Sequence, residues 1–337
     1  MPPSPSLLGI PVEIRVMIIL QAVQAPLNPP NPNLGDLEER IPKAHATRLL
    51  LPTQPTTNPA LPLLLTNRQL YHETLDTLQR AYSSPTSLPP SYSGDVIYLR
   101  DNGTLWPTWL SVPFRASHAD TVHAQFRIFR CPPGLTIPSK PAINFFHYER
   151  FYEALHGLLE SVLASGRFGP CGQPITVDRL VLNFLPAAEV AILPVAPIVK
   201  WEWVSDPKEC GDRIFAKDIR PNIHDCFYLD KALKGLYLHD PRIEAAARFM
   251  CWVFKMLQWI AEMNYYTFSY GKVLFEHVGV IEVHLDGKLY KTLDLGARLA
   301  RLPSNPQLRR PAELYLWKRE VEAKRRKLGW PVENSEV

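Results

Sequence analysis

Proline sets the limits within which this chain can fold. There are 34 in 337 residues, roughly twice the usual usage of about 5%, and only 16 glycines accompany them. Proline fixes φ and lacks an N–H. It is tolerated at a helix start or in a loop, and not inside a helix or a central strand. Regular elements must therefore lie between prolines, with stiff rather than flexible connections. Eight prolines fall within residues 24–60, which predicts an irregular insertion whose only order is short helical turns over 34–40 and 47–51. A second Ser/Pro-rich stretch, 83–93, predicts a domain boundary.

Two amphipathic helices flank the insertion. Pro11 stands at a helix start, where its missing N–H has no intrahelical partner, and Glu13 follows in the first turn, where a carboxylate suits the helix dipole. Val12, Val16, Ile19/Leu20 and Val23 recur at helical spacing until Pro26. A second helix is predicted from about Leu63 to Tyr82, with Tyr71, Leu75, Leu78 and Tyr82 on its apolar stripe.

Beyond residue 93 the period changes from helical to alternating. Val96 to Leu99, then Asn102-Gly103, then Thr104-Leu105-Trp106 predicts a hairpin, since Asn-Gly accepts the positive φ of a tight turn. Val122, Ala124, Phe126 and Ile128 alternate with polar residues as in a half-buried strand. A helix through Phe151, Leu155, Leu158/Leu159 and Val162 leads to a strand at 180–185, a strand–helix–strand order compatible with a βαβ unit. Asp240-Pro241 opens the longest helix, 241–263, apolar around most of its circumference and expected to cover one face of a sheet. Ile281 to Leu285, Asp286-Gly287 and Lys288 to Tyr290 form the clearest hairpin. A last helix, 311–328, carries Leu314, Trp317, Val321 and Leu328 on one face. The expectation is an α+β protein. It divides into a helical segment over 1–85 with the insertion at 24–60, a mixed-sheet body over 86–300, and a basic helix and tail over 301–337.

Charge and cysteine narrow the class. The total is +4, yet 298–330 holds ten Lys/Arg against three Asp/Glu, a local +7 that leaves the remainder at −3. Attraction to anions therefore belongs to the tail. Five scattered cysteines without a C-x-x-C read as reduced thiols. No cationic leader precedes the first apolar stretch. The longest nearly apolar span, 180–199, is broken by Asn183, Glu189 and prolines, which argues against a membrane helix. An intracellular protein of the cytoplasm or nucleus is expected, with no membrane partner.

Ile10-Pro11-Val12-Glu13-Ile14-Arg15 resembles the Leu-Pro-x-Glu-Ile-Arg opening of fungal F-box and F-box-like proteins, and of a sister fungal domain named for two E-x-R signatures. Leu64, Leu65, Asn67, Arg68, Gln69, Tyr71 and Glu73 resemble that group's Leu-Leu-x-x-Cys/Asn-Arg-Gln-x-Tyr-x-Glu helix. The resemblance covers roughly the first 85 residues. It departs from the family in the long insertion between the helices and in lacking the second E-x-R. It implies a protein-interaction adaptor, a substrate receptor that docks its helices on the adaptor subunit of a cullin-type ubiquitin ligase and captures a substrate with the remaining chain.

Under that reading Val12, Glu13, Arg15, Val16, Ile19 and Leu20 contribute to docking. Each also has a structural reading. Glu13 and Arg15 can be a first-turn carboxylate and a solvated arginine, with an internal salt bridge to Glu73 or Arg68 as the other option. The stripe can be buried against the second helix, and a single stripe serves one purpose. Lys324-Arg325-Arg326-Lys327 can be a nuclear-import signal or an anion contact, or a solvated face with pairs such as Glu322–Arg326. No aromatic-rich basic groove accompanies it, so nucleic acid is not expected as a partner.

Chemistry-bearing sets are weak. Cys210, His224 and Cys226 with Asp212 lack the paired short spacing of structural zinc. His118 and His123 fare no better. Gly166 to Gly172 lacks the Lys-Ser/Thr ending of a phosphate loop. No G-x-S-x-G elbow is present. Neither cofactor, metal nor catalytic residue is expected. Two alternatives remain. One is a self-contained interaction or regulatory protein whose F-box-like helices only pack. The other is an enzyme with a deep polar pocket drawing on His123, His147, His284 and Asp286.

Overall fold

The computed structural model describes residues 7–25, 27–30, 40–43, 46–52, 63, 65, 67–83, 92–99, 103–112, 117–129, 147–164, 173–186, 245–263, 267–302 and 311–332. Their strands are β1 (Arg40–Lys43), β2 (Ala46–Pro52), β3 (Tyr92–Leu99), β4 (Thr104–Ser111), β5 (His118–Phe129), β6 (Thr176–Phe184), β7 (Val278–Leu285) and β8 (Lys288–Asp294). The helices are α1 (Val12–Gln24), α2 (Arg68–Ser83), α3 (His147–Leu159), α4 (Ala245–Ile260), α5 (Phe268–His277), α6 (Leu295–Arg301) and α7 (Pro311–Lys327).

The strands form one mixed sheet in the order β1-β2-β4-β3-β5-β6-β7-β8. β3, β5, β6 and β7 are mutually parallel, and antiparallel pairs close both ends. The α+β class read from the sequence is the class of the fold. Parallel neighbours need a crossover, and α3 supplies it between β5 and β6. Leu180, Val181 and Leu182 are buried in succession, as expected of a central strand covered on both faces.

Both predicted hairpins form. Asp286 and Gly287 turn β7 into β8 with φ of 49° and 75°, the paired positive values that match the twist of a two-residue turn. Gly103, at φ 67°, starts β4, which runs to Ser111 through Pro107. Proline is accommodated there because the pairing of β4 with β2 is at Leu49–Leu105, short of Pro107.

One face of the sheet carries the main core. Phe249 of α4 stacks on Tyr98 of β3 at 4.1 Å between ring centroids and meets Phe126 and Phe184 edge-on at 6.0 and 5.4 Å. Trp252, Val253, Leu257 and Ile260 are also buried, so α4 does cover a sheet face. Its predicted N-cap, Asp240, lies outside the described residues. The helix stops at Ile260, before the predicted 263, and Met263 adopts a left-handed φ of 52°. α3 ends in a π turn, Glu160–Ala164, where Ser161 donates to the Gly157 carbonyl at 2.6 Å.

The helical turn predicted over 47–51 is corrected to strand β2. Leu49 packs into the main core, while Leu50 packs into a second cluster with Ile97, Leu99 and Trp106 on the opposite face. An apolar run with a partner on each side is a strand pattern. β1 and β2 therefore extend the sheet of the body, although their residues belong to the predicted insertion.

The basic C-terminal helix is part of the same packing. Leu314, Trp317 and Val321 of α7 are buried, as predicted, and Leu328 is half-buried. Trp317 meets Phe268 and Phe275 of α5 edge-on, and its indole N–H donates to Glu276 at 2.7 Å.

Candidate docking face

The segments that carry Arg15 and Glu73 meet in space. Arg15 of α1 grips Glu73 of α2 with a two-pronged ion pair, Nε to Oε2 at 2.8 Å and Nη2 to Oε1 at 2.6 Å. Nη1 of the same guanidinium donates to the carbonyls of Leu8 and Ile10, which ties the turn Leu7–Gly9 to the helix it precedes. Gln69 donates to Glu73 at 2.9 Å. Asn67 accepts the Leu70 N–H at 2.9 Å and so caps α2. The Arg15 and Glu73 positions of the two motifs are the two ends of one clamp.

Arginine offers a planar fork that matches a carboxylate, which gives the pair orientation as well as attraction. The Arg15 hydrogen bonds, followed by that of Gln69, hold Glu73 below the usual glutamate range, and the same contact raises Arg15. A carboxylate with a depressed folded-state pKa stabilises the fold at neutral pH and loses that contribution as pH falls through the depressed value. Arg15→Ala and Glu73→Ala are therefore expected to loosen α1 to a similar extent at neutral pH, with little added effect in the double variant. Hydrogen exchange of α1 amides reports this, and the coupling disappears in acid below the ordinary glutamate range.

Burial around α1 separates two faces. Ile19 and Val23 are fully buried and pack with Leu63 and Leu78. Val16 and Leu20 are half-buried beside them, and Glu13 is exposed. On the far side, Ile14, Met17 and Ile18 are 41, 54 and 39% exposed, and Val12 at the helix start is 45% exposed. The predicted single stripe is corrected accordingly. Arg15, Ile19 and, in part, Val16 and Leu20 face the protein's own α2. Val12 and Glu13 remain on the surface, joined by Ile14, Met17 and Ile18. The helix is apolar on both sides, so periodicity alone could not say which side is covered.

The stripe of α2 rotates for the same reason. Its buried line runs through Leu70, Thr74 and Thr77 with half-buried Leu78, whereas Tyr71 and Leu75, expected inside, are 41 and 39% exposed. Turning Glu73 toward Arg15 carries Tyr71 and Leu75 outward. The Tyr82 side chain lies outside the described residues.

The basic run divides. Arg326 and Lys327 are exposed and Lys324 half-buried, and Arg326 lies 3.8 Å from Glu322, the predicted i,i+4 partner. Arg325 is fully buried. It donates to the carbonyls of Phe275, Val278 and Gly279 at 2.8–3.1 Å and lies 4.9 Å from the Trp330 ring centroid. Burial pushes its pKa down to about 10. An import signal or anion contact would therefore rest on Lys324, Arg326 and Lys327 without Arg325.

The residues of the enzyme alternative are only partly brought together. His123, Glu282 and His284 share the sheet face opposite the α4 core, His123 aligned with Val181 and Val181 with Glu282. Glu282 bridges His284 Nε2 at 3.1 Å and Arg179 Nε at 3.2 Å. Burial lowers the His123 pKa, and the nearby His284 adds to this. Asp286 sits at the exposed β7–β8 turn. The His147 side chain, the Cys210–Cys226 set and the Gly166–Gly172 run lie outside the described residues. Between α3 and the sheet lies a cavity of about 50 Å³, partly open to solvent, lined mainly by apolar residues such as Leu155, Leu158, Val122 and Phe126, with Asp95 and His123 also among its lining. It is an apolar cavity, not the polar pocket that acid–base chemistry would need.

No helix among the described residues is long and apolar enough to cross a membrane. No protein-family model, curated protein or solved structure matches the chain.

Proposed function

We propose that this chain is a protein-interaction adaptor that docks through the outward face of α1 and acts by binding alone. The observation that carries the reading is the exposed set Ile14, Met17 and Ile18 on a helix whose other face is already satisfied. Apolar side chains gathered on one exposed helix face mark an interaction site more often than isolated ones do. The helix is held rigidly by the Arg15–Glu73 clamp, so little ordering entropy opposes docking. The finer proposal is that the partner is the adaptor subunit of a cullin-type ubiquitin ligase, with the sheet body presenting a substrate. A self-contained protein, in which the helices only pack, would gain nothing from the outward triplet.

Co-purification of the full chain with the recombinant adaptor tests this. Wild type is expected to be retained, and a Met17→Asp/Ile18→Asp double variant with an unchanged circular dichroism spectrum is expected to bind at least about tenfold more weakly, as loss of central apolar contacts at an interface does. Failure of the folded wild type to bind, or undiminished binding by the variant, would reject the ligase reading.

A further inference from the structure

We infer that His118, Asp120 and Asp178 form a binding site for a divalent transition-metal ion at the start of β5 and β6. The three side chains each bring one ligand atom within 4.8 Å of the others. They come from neighbouring parallel strands whose register aligns His118 with Thr176, Ala119 with Val177 and Thr121 with Arg179, so Asp120 and Asp178 stand side by side. This site is independent of the docking face on α1.

The orientation of the His118 ring is set from behind. The Thr176 hydroxyl donates its single proton to the Ser117 carbonyl at 3.2 Å. With the proton placed there, it accepts, at 3.0 Å, from His118 Nδ1, and in that tautomer the ring carries its lone pair on Nε2. That lone pair faces two carboxylates, Asp178 at 3.4 Å and Asp120 at 3.9 Å. Both separations exceed the usual hydrogen-bond range of about 2.7–3.2 Å. The 3.4 Å separation suits two ligands of one ion, since metal–ligand bonds of about 2.0–2.2 Å at tetrahedral angles put ligand atoms about 3.3–3.6 Å apart, and Asp120 at 3.9 Å closes by about 0.3–0.6 Å to join them. The Nε2 atom and the two carboxylates together offer three ligand atoms to one cation. The charge of a divalent ion would balance the two carboxylates.

The surroundings fit that use. Thr176 holds the far nitrogen of the ring, as the outer partner of a metal-binding histidine does. The Trp330 indole N–H donates to Asp178 and holds that carboxylate in place. The side chains are 39, 57 and 43% exposed, so an ion has an entry path and keeps water on its open side. An imidazole nitrogen among the ligands favours zinc over manganese, magnesium or calcium. Sequence reading passes over the set because Asp178 arrives from a different strand.

Calorimetric titration of the chelator-treated full chain with zinc chloride, manganese chloride and magnesium chloride tests the site. One equivalent of zinc is expected to bind, and manganese and magnesium to bind at least about tenfold more weakly. His118→Ala and Asp120→Asn are expected to weaken binding by at least tenfold, and Thr176→Val by about ten- to hundredfold. Asp120, the most exposed of the three, is the variant expected to leave the fold intact by circular dichroism. Absence of saturable zinc binding would overturn the inference and leave a histidine–carboxylate pair bridged by a proton. Unchanged affinity in a folded Asp120→Asn variant would overturn it as well.

Discussion

Replacing Arg325 with alanine is expected to lower the stability of the chain by about 3–5 kcal/mol, because it strips donors from three buried carbonyls at about 1–3 kcal/mol each, with partial relaxation. Those carbonyls belong to Phe275 in the last turn of α5 and to Val278 and Gly279 in β7. The end of a helix leaves carbonyls without intrahelical partners. Here α7 supplies the missing donor to α5 from another part of the chain, and a cation near a helix C-terminus also complements its dipole. The cost is desolvation, which pushes the Arg325 pKa down to about 10. A base with a depressed folded-state pKa carries its full desolvation penalty at neutral pH, so the carbonyls and the Trp330 ring must offset it. Urea unfolding at constant slope measures the balance. Arg325→Lys is expected to lose less than Arg325→Ala, and Arg326→Ala, at an exposed position, to stay within about 0.5 kcal/mol of wild type. An Arg325→Met variant as stable as wild type would show that the carbonyls do not depend on the guanidinium.

The adjacent pair Ile18 and Ile19 is expected to give opposite outcomes with the same substitution. Ile19 is fully buried against α2, while Ile18 is 39% exposed on the other side of the helix. Ile19→Asp places an unpaired carboxylate in an apolar contact, a change that costs about 3–5 kcal/mol where the group cannot reach water. It is expected to release α1, read as loss of exchange protection over residues 12–24. Ile18→Asp is expected to change stability by less than about 1 kcal/mol and to abolish adaptor binding. Equal loss of protection in both would place Ile18 inside the fold. Retained binding by Ile18→Asp would remove the outward face from the interaction.

How far the sequence could be read depended on whether one pattern had one explanation. The β7–β8 hairpin was legible because Asp286-Gly287 between alternating segments has few other uses. The buried face of α7 was legible because Leu314, Trp317 and Val321 are the apolar residues of an otherwise charged helix. β2 was missed because Leu49-Leu50-Leu51 does not alternate, and its two-sided burial depends on Ile97, Trp106 and the main core, all distant in sequence. The outward face of α1 was missed because both sides of that helix are apolar, and the choice was made by Glu73 on α2. Arg325 looked like its neighbours. What buries it is the placement of α7 against α5 and β7, which no local charge pattern encodes. Asn67 belongs to the segment that carries the resemblance, and its N-cap role follows from the helix start signal that the same residue type provides.

The outward face of α1 is the central claim, and hydrogen–deuterium exchange of the full chain with and without the recombinant ligase adaptor tests it most directly. Binding is expected to slow exchange over residues 8–22, with the sheet strands unchanged. Protection confined to the sheet or to α7, or none under saturating adaptor, would contradict the claim and leave α1 as a helix that only packs.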